Sequence, residues 1–296
     1  MRGYLLILPI GLVAQFVDGT LGMGYGASSS SLLLAAGFLP AAVSASVHAA
    51  EIFSSLASGA SHLKLGNVDK TVVLPLAAGG VIGGVAGAYF LSNIDSALIR
   101  PYIGLLLMIL GIRILLTSRK RKGSDIGKRI SSRFLVPLGL AGGVVDAIGG
   151  GGWGPICTST IVSTKSGEPR TAIGSVNAAE FLVTLAITIT FAFSLGLERF
   201  LWHITLPLMI GGVIAAPLSA YACRRIAPGN LSIGIGLVLI VLNLRAVAPV
   251  LSSTLGVHLP VKFDLIVVLA AIAAGLVPVF RSLSCRRPAV SEELRQ

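Results

Sequence analysis

Four acidic residues occupy paired positions in this chain. Asp18 and Asp146 each precede a glycine-rich segment, while Glu51 and Glu180 each lie inside an apolar stretch. A carboxylate at membrane depth is costly, so such a residue either serves function or is paired internally. The acids are therefore candidates for binding a proton. Alternatively, they cap helices and accept hydrogen bonds from freed backbone N–H groups. Sequence leaves both alternatives open.

A second pair of polar residues accompanies the glutamates. His48 precedes Glu51 by three residues, and Asn177 precedes Glu180 by the same interval, which places each pair on one helix face. His48 and Glu51 are a candidate proton relay, and simple packing of His48 is the alternative. Because Asn177 does not titrate, such a relay is predicted in one half only.

Glycines interrupt both segments that follow the aspartates. Each glycine costs about 1 kcal/mol relative to alanine inside a helix, so a helix is expected to break here and restart. The free N–H groups and positive dipole ends of two restarted helices predict a site for an anion. Close helix packing at the glycines is the alternative, and Tyr25 and Trp153 either wall the site or fill space. The predicted binding residues are Gly22, Gly24, Tyr25, Gly26, Ser28, Ser29, Gly150, Gly152, Trp153, Gly154, Cys157 and Thr158.

These features belong to an internal repeat. The segment 17–26 matches 145–154 at an offset of 128, and 46–51 matches 175–180 at 129. Further blocks from 74–82 onward recur at an offset of 132. Asp, Glu and Pro recurring in register argue against coincidence. The predicted organisation is a first repeat (1–117), a basic loop (118–133), a second repeat (134–249), a linker with an extra helix (250–281) and a tail (282–296).

Composition identifies the class of protein. Hydrophobic residues make up 54% of the 296 residues and charged residues 12%, whereas a soluble domain has about 25% charged residues. The chain is therefore expected to be an all-α integral membrane protein. Its net charge of +11 lies largely in one loop and the tail, which favours a topological signal over nucleic-acid binding. The three cysteines are widely spaced without a CxxC, so we expect no disulfide framework, metal or cofactor.

Three full spans are predicted in each repeat. They cover 43–60, 71–91 and 98–116, then 172–196, 203–222 and 231–249, with one more at 263–281. The remaining pieces, 4–17 with 27–39 and 134–147 with 155–164, are each too short to cross the ~30 Å hydrocarbon core. Each pair forms either one broken span or a re-entrant hairpin.

Charge favours the re-entrant hairpin. With the basic loop 118–133 inside, a re-entrant 134–164 places seven other cations inside and two, Arg199 and Lys262, outside. The seven are Lys165, Arg170, Arg224, Arg225, Arg281, Arg286 and Arg287. Three spans per half is an odd number, so the halves would be inverted relative to each other, as in many secondary transporters.

Together these motifs resemble the TauE/SafE sulfite exporter family, also called the toluene-sulfonate uptake permease family. The resemblance rests on 18–26 and 146–154, on 46–51 and 175–180, and on the basic central loop. It implies inner-membrane transport of a sulfur-containing anion such as sulfite, thiosulfate, a sulfonate or sulfoacetate. The difference between His48 and Asn177 is a departure from symmetry.

Three functions follow from these patterns. A secondary transporter of a small anion is the main prediction, and an anion channel with the same pore elements is the alternative. An intramembrane enzyme is disfavoured because the chain lacks HExxH and GxSxG motifs. The lipid bilayer and a small anion are the expected partners, and a homo-oligomer remains open.

Overall fold

The structure is a computed structural model that describes residues 7–118, 130–164, 168–223 and 229–255. Within these ranges the regular structure is entirely helical. The helices are α1 (Ile7–Leu21), α2 (Tyr25–Ala35), α3 (Pro40–Lys64), α4 (Lys70–Asn93), α5 (Ser96–Ser118), α6 (Ser132–Gly149), α7 (Ser159–Ser163), α8 (Pro169–Leu195), α9 (Trp202–Ala222) and α10 (Gly229–Leu255). A π-helical turn, Gly154–Thr158, leads into α7, and a 3-10 turn, Leu197–Arg199, precedes α9. The predicted helix 263–281, the tail 282–296 and most of the loop 118–133 lie outside the described residues.

Five described helices are long and apolar enough to cross a membrane. They are α4, α5, α6, α8 and α9. Large apolar side chains on their outer faces are exposed, including Leu74, Leu98, Phe193 and Leu218. Such surfaces suit contact with lipid, because a bilayer is as apolar as these side chains. The all-helical, multi-pass membrane class predicted from composition is confirmed.

Helix α3 has the length to cross a membrane but a more polar sequence. It is 25 residues long, and its buried residues include serines, His48 and Glu51. Polar side chains in a membrane protein face the interior of the helix bundle, where other helices satisfy them. The predicted span 43–60 therefore corresponds to an interior helix that packs between α8 and α9.

The two broken segments differ in length. Helices α1 and α2 have 15 and 11 residues, so they extend about 22 Å and 16 Å at 1.5 Å per residue. Helix α6 has 18 residues, longer than the predicted piece 134–147, because Ser131 caps it early by accepting a hydrogen bond from Arg133 N–H. It ends at Gly149, and the capping residue Gly150 has a left-handed φ of 67°. Helix α10 likewise extends past the predicted boundary at 249.

The main helix contacts join the two halves, and equivalent helices make equivalent contacts. Helix α1 packs on α9 and its equivalent α6 packs on α4, the equivalent of α9. In the same way, α3 packs on α8 and α5 on α10. A two-fold operation that swaps the halves leaves this pattern of contacts unchanged. The internal repeat of the sequence is thus also a repeat of packing.

Glycines permit this packing at matching positions. A Cβ added to Gly11 of α1 would lie 2.8 Å from the Cα of Leu208 on α9. The equivalent Gly139 of α6 faces Leu76 of α4, where a Cβ would lie 3.0 Å from Gly80 N. Helix backbones approach this closely only where a side chain is absent. The glycine content of the chain therefore serves packing at these two interfaces.

Candidate functional site

The two glycine-rich breaks meet at the centre of the molecule. A Cβ on Gly26 would lie 2.7 Å from the Gly150 carbonyl oxygen, and one on Gly154 would lie 2.5 Å from that of Gly22. Gly22 and Gly24 have φ values of 70° and 132°, which only glycine adopts readily. The two breaks therefore contact each other backbone to backbone, so residues 124 and 132 positions apart form one site.

Two hydroxyls join the breaks with matching hydrogen bonds. Ser30 Oγ donates to the Gly150 carbonyl over 2.6 Å, and Thr158 Oγ1 donates to the Gly22 carbonyl over 2.5 Å. Serine and threonine stand at equivalent positions, as do the two glycines, at the offset of 128. Each break thus supplies the acceptor for the hydroxyl of the other.

The paired aspartates bind the restarted helices. Asp146 Oδ1 accepts a hydrogen bond from Trp153 N–H over 3.0 Å, and Asp18 Oδ1 accepts one from Tyr25 N–H over 3.4 Å. Both aspartates are buried. A carboxylate at a helix N-terminus satisfies a free N–H group and interacts favourably with the helix dipole. The structure therefore gives both aspartates a capping contact, one of the two roles that the sequence left open.

The glutamates lie in the same buried region. The Glu51 carboxyl accepts a hydrogen bond from the Gly26 backbone N–H, and its Oε2 has no partner among the described residues. Glu180 is 5% exposed and interacts electrostatically with Glu51, Asp18 and Asp146. Four carboxyl groups from four helices therefore surround the crossing of the breaks.

His48 is held from both sides of its ring. Its Nδ1 lies 2.8 Å from the Ser44 carbonyl oxygen, and its Nε2 lies 3.2 Å from Asp146 Oδ2. One nitrogen or oxygen from each of His48, Glu51 and Asp146 lies within 4.8 Å of the others. That spacing brings the imidazole and the two carboxyl groups into one buried cluster.

Asn177 does not reproduce this arrangement. Its Nδ2 donates to the Ile173 carbonyl over 3.1 Å, and its Oδ1 accepts from Ser58 Oγ over 3.1 Å. The residue equivalent to His48 is thus satisfied by neutral neighbours on α8 and α3. The otherwise symmetric centre is asymmetric at this position.

Several predicted donors already have acceptors within the protein. Ser28 Oγ donates to the Gly24 carbonyl, and the Cys157 thiol lies 3.8 Å from the Leu138 carbonyl. Ser29 is 1% exposed, and its Oγ has no partner among the described residues. Of the predicted side-chain donors Ser28, Ser29, Cys157 and Thr158, only Ser29 has its group unengaged.

Tyr25 and Trp153 are both fully buried. The Tyr25 hydroxyl donates to the Leu208 carbonyl over 3.0 Å, and the Trp153 indole N–H donates to the Val176 carbonyl over 3.2 Å. Their rings lie against Gly212 and Gly80 at equivalent positions of α9 and α4. Both rings therefore fill the space that these glycines leave, which is the second of the two roles that the sequence allowed.

Four residues of the site are absent from the predicted binding residues. They are Ser30, Ser44, Ser159 and Arg113. Arg113 of α5 donates to Ser159 Oγ over 3.2 Å and to Thr160 Oγ1 over 2.5 Å, which ties α5 to the helix after the second break. Ser30 could have been found from its equivalence to Thr158, and Ser44 from its position one turn before His48.

Comparison with known proteins identifies the family of this chain. The family model described as "Sulfite exporter TauE/SafE" matches residues 7–246. The chain is 40% identical over 261 residues to the "Probable membrane transporter protein YtnM" of Bacillus subtilis (strain 168), covering 87% of each protein. No solved structure matches the chain. The match spans both repeats and the glycine breaks, and the chain belongs to the sulfite exporter TauE/SafE family of membrane transporters.

Proposed function

We propose that this chain is a secondary transporter for a small sulfur-containing anion of the sulfite, thiosulfate, sulfonate or sulfoacetate type. It acts in the inner (plasma) membrane without a cofactor. The anion binds near the midplane, between the N-termini of the helices that restart after the two breaks. The observation that carries the proposal is the crossing of these breaks, in which Gly26 faces Gly150 and Gly154 faces Gly22.

Electrostatics support an anion at this position. A helix N-terminus carries a positive partial charge and unsatisfied N–H groups, and two such ends converge here. Discontinuous helices whose N-termini face an anionic group are a recurring feature of secondary transporters. Ser29, with a buried and unengaged hydroxyl, supplies a further donor.

The proposal includes an inverted repeat. The two-fold pattern of contacts is compatible with parallel halves and with inverted halves. The direction of the two-fold axis depends on how many times each half crosses the membrane. With three full crossings and one re-entrant hairpin in each half, the axis lies in the membrane plane. Helix α6 then belongs to the hairpin of the second half, although it is long and apolar enough to cross a membrane. Alternating access then corresponds to an exchange of conformations between the two halves.

The carboxyl groups impose a condition on anion binding. Asp18, Asp146 and Glu51 accept hydrogen bonds from Tyr25, Trp153 and Gly26, which are donors that the anion would use. Because carboxylates and anion compete for these N–H groups and repel each other, the anion enters when at least one carboxyl is neutralised or displaced. Transport is therefore linked to a cation, and the proton is the simplest candidate.

Transport by the purified protein in proteoliposomes tests the proposal. We expect saturable uptake and counterflow of at least one anion among sulfite, thiosulfate, taurine and sulfoacetate, with sulfate as a comparison and empty liposomes as the control. Flux that does not saturate and shows no counterflow would indicate a channel. A chemically altered product would indicate an enzyme, and no flux of any of these anions would contradict the proposed substrate class.

A further inference from the structure

We propose that His48 and Asp146, which come from opposite halves of the chain, hold one proton between them. This proton site exists at only one of the two positions that the repeat makes equivalent. The role of this proton site in transport rests on the proposed function, whereas the existence of the site does not. The geometry around the imidazole ring carries it.

The position of one ring proton follows from Ser44. Nδ1 of His48 lies 2.8 Å from the Ser44 carbonyl oxygen, which can only accept a hydrogen bond. Nδ1 also lies 3.2 Å from Ser44 Oγ, whose own proton is donated to the Ala147 carbonyl over 2.6 Å. Both neighbours therefore require a proton on Nδ1.

The opposite side of the ring then needs a second proton. In the neutral imidazole with a proton on Nδ1, Nε2 carries a lone pair. That lone pair would face a lone pair of Asp146 Oδ2 at 3.2 Å, which is repulsive in a buried site. A proton between these two atoms turns the repulsion into a hydrogen bond, whether it belongs formally to the imidazolium or to the carboxylic acid.

Other titratable groups face this pair from the surrounding helices. Glu51 lies on the same helix as His48, Asp18 on α1 and Glu180 on α8, and Tyr25 begins α2. Cys157 interacts electrostatically with Asp146, with Glu180 and with the guanidinium of Arg113. Carboxyl groups outnumber cationic side chains in this set.

The pair related to this site by the repeat, Asn177 and Asp18, does not form a counterpart. Asp18 takes the place of Asp146, but Asn177 takes the place of His48 and bonds to Ile173 and Ser58 instead. Unlike an imidazole ring, an amide side chain does not bind a proton near neutral pH. The geometry therefore predicts one proton at one of two equivalent positions.

Asp146 connects the proton site to the second glycine-rich break. Asp146 uses Oδ2 for His48 and Oδ1 for the N–H of Trp153, the residue at which the chain becomes helical again. Loss of the proton would drive Asp146 and His48 apart and move the acceptor of Trp153. Proton occupancy is thus coupled to the conformation of the break where the anion is proposed to bind.

Nuclear magnetic resonance of the full-length protein in detergent, with ¹⁵N-labelled histidine, tests the site without any substrate. The chain has four histidines, and His48→Asn identifies the His48 signals by their loss. We expect Nδ1 to be protonated at every pH and Nε2 to change with pH. In Asp146→Asn, Nε2 should lose this behaviour because an amide can donate to the neutral ring, whereas the matched change Asp18→Asn should preserve it. Asp146→Asn retains His48, so it decides the question if His48→Asn does not fold.

Transport supplies a second and separate measurement. With sulfite or thiosulfate as the probe, an imposed pH gradient should change the wild-type rate, and in His48→Asn the ratio of rates with and without the gradient should fall to one. If none of sulfite, thiosulfate, taurine and sulfoacetate is transported, the proposed function fails while the resonance measurement still decides the proton site. A proton on Nε2 alone, unchanged behaviour in Asp146→Asn, or a metal ion that is retained by the wild type and lost in His48→Asn would overturn the proposal.

Discussion

The hydroxyl of Ser30 lies 2.6 Å from the carbonyl oxygen of Gly150 and closes one half of a reciprocal pair of hydrogen bonds across the molecule. Thr158 makes the matching bond to Gly22. Because each bond joins the two repeats at their breaks, the pair ties together the elements proposed to move during transport. Its contribution to stability can be measured directly.

Removing either hydroxyl should destabilise the protein. Ser30→Ala and Thr158→Val each leave a buried carbonyl without its donor, at a cost of about 1–3 kcal/mol. Unfolding followed by circular dichroism in detergent is the measurement. Ser61→Ala is the matched control, since Ser61 donates only within its own helix to Ala57. Equal losses in Ser30→Ala and Ser61→Ala would show that the bond between repeats adds nothing.

Adding a methyl group at the crossing should separate the breaks. A Cβ at Gly26 or Gly154 would lie within 2.7 Å of a backbone carbonyl oxygen of the other half. We expect Gly26→Ala and Gly154→Ala to insert into the membrane but to lose most transport. Gly149→Ala, whose Cβ would lie 3.4 Å from Leu106 Cδ2, is the control and should retain it. If Gly149→Ala lost transport while Gly26→Ala and Gly154→Ala retained it, this account of the crossing would be refuted.

Larger side chains within the breaks should abolish transport. Gly24 has a φ of 132°, which disfavours leucine, and a Cβ on Gly152 would lie 2.8 Å from the backbone N of Asp146. Gly24→Leu and Gly152→Leu are compared by transport assays and by the amount of folded protein in the membrane. Folded variants that bind substrate normally would support a packing role for these glycines.

The paired glutamates should matter more for uptake than for efflux. With the inside negative, the membrane potential drives an anion outward by about 2.3 kcal/mol per charge per 100 mV, so uphill uptake needs a co-transported cation. We expect Glu51→Gln and Glu180→Gln to impair uphill uptake, where uptake occurs, more than downhill efflux in proteoliposomes with imposed gradients. Equal loss in both directions would point to structural carboxyls, and unchanged transport to a role in packing.

The orientation of the second break is open to chemical labelling. Re-entrance predicts that the loops 118–133 and 165–170 face the same side of the membrane as the C-terminal tail. Single cysteines introduced in both loops of a cysteine-free variant should react alike with an impermeant reagent from that side. Opposite accessibility would remove the hairpin and the inverted repeat with it.

Local sequence patterns were sufficient for several features of this protein. The membrane class, the positions of α4, α5, α8 and α9, and the breaks at Gly22 and Gly150 depend on residues close together in the chain. Apolar runs and left-handed glycines act within a turn or two of helix. The repeat likewise identifies Asp18 and Asp146 as equivalent, because matching segments keep a near-constant offset along the chain. Helix ends were less predictable, because caps such as Ser131 extend α6 beyond its apolar run.

The partners of the polar residues required the tertiary structure. Spacing in the chain pairs His48 with Glu51 on one helix face, whereas packing of α3 brings in Asp146 from 98 residues away. Asn177, equivalent to His48 in sequence, meets Ser58 instead. Which side chains meet is set by how helices from the two halves cross, and that crossing depends on glycine contacts spread over the whole molecule. The sequence by itself therefore determined the equivalent positions, and only the tertiary structure decided that one of the two carries a histidine–aspartate pair.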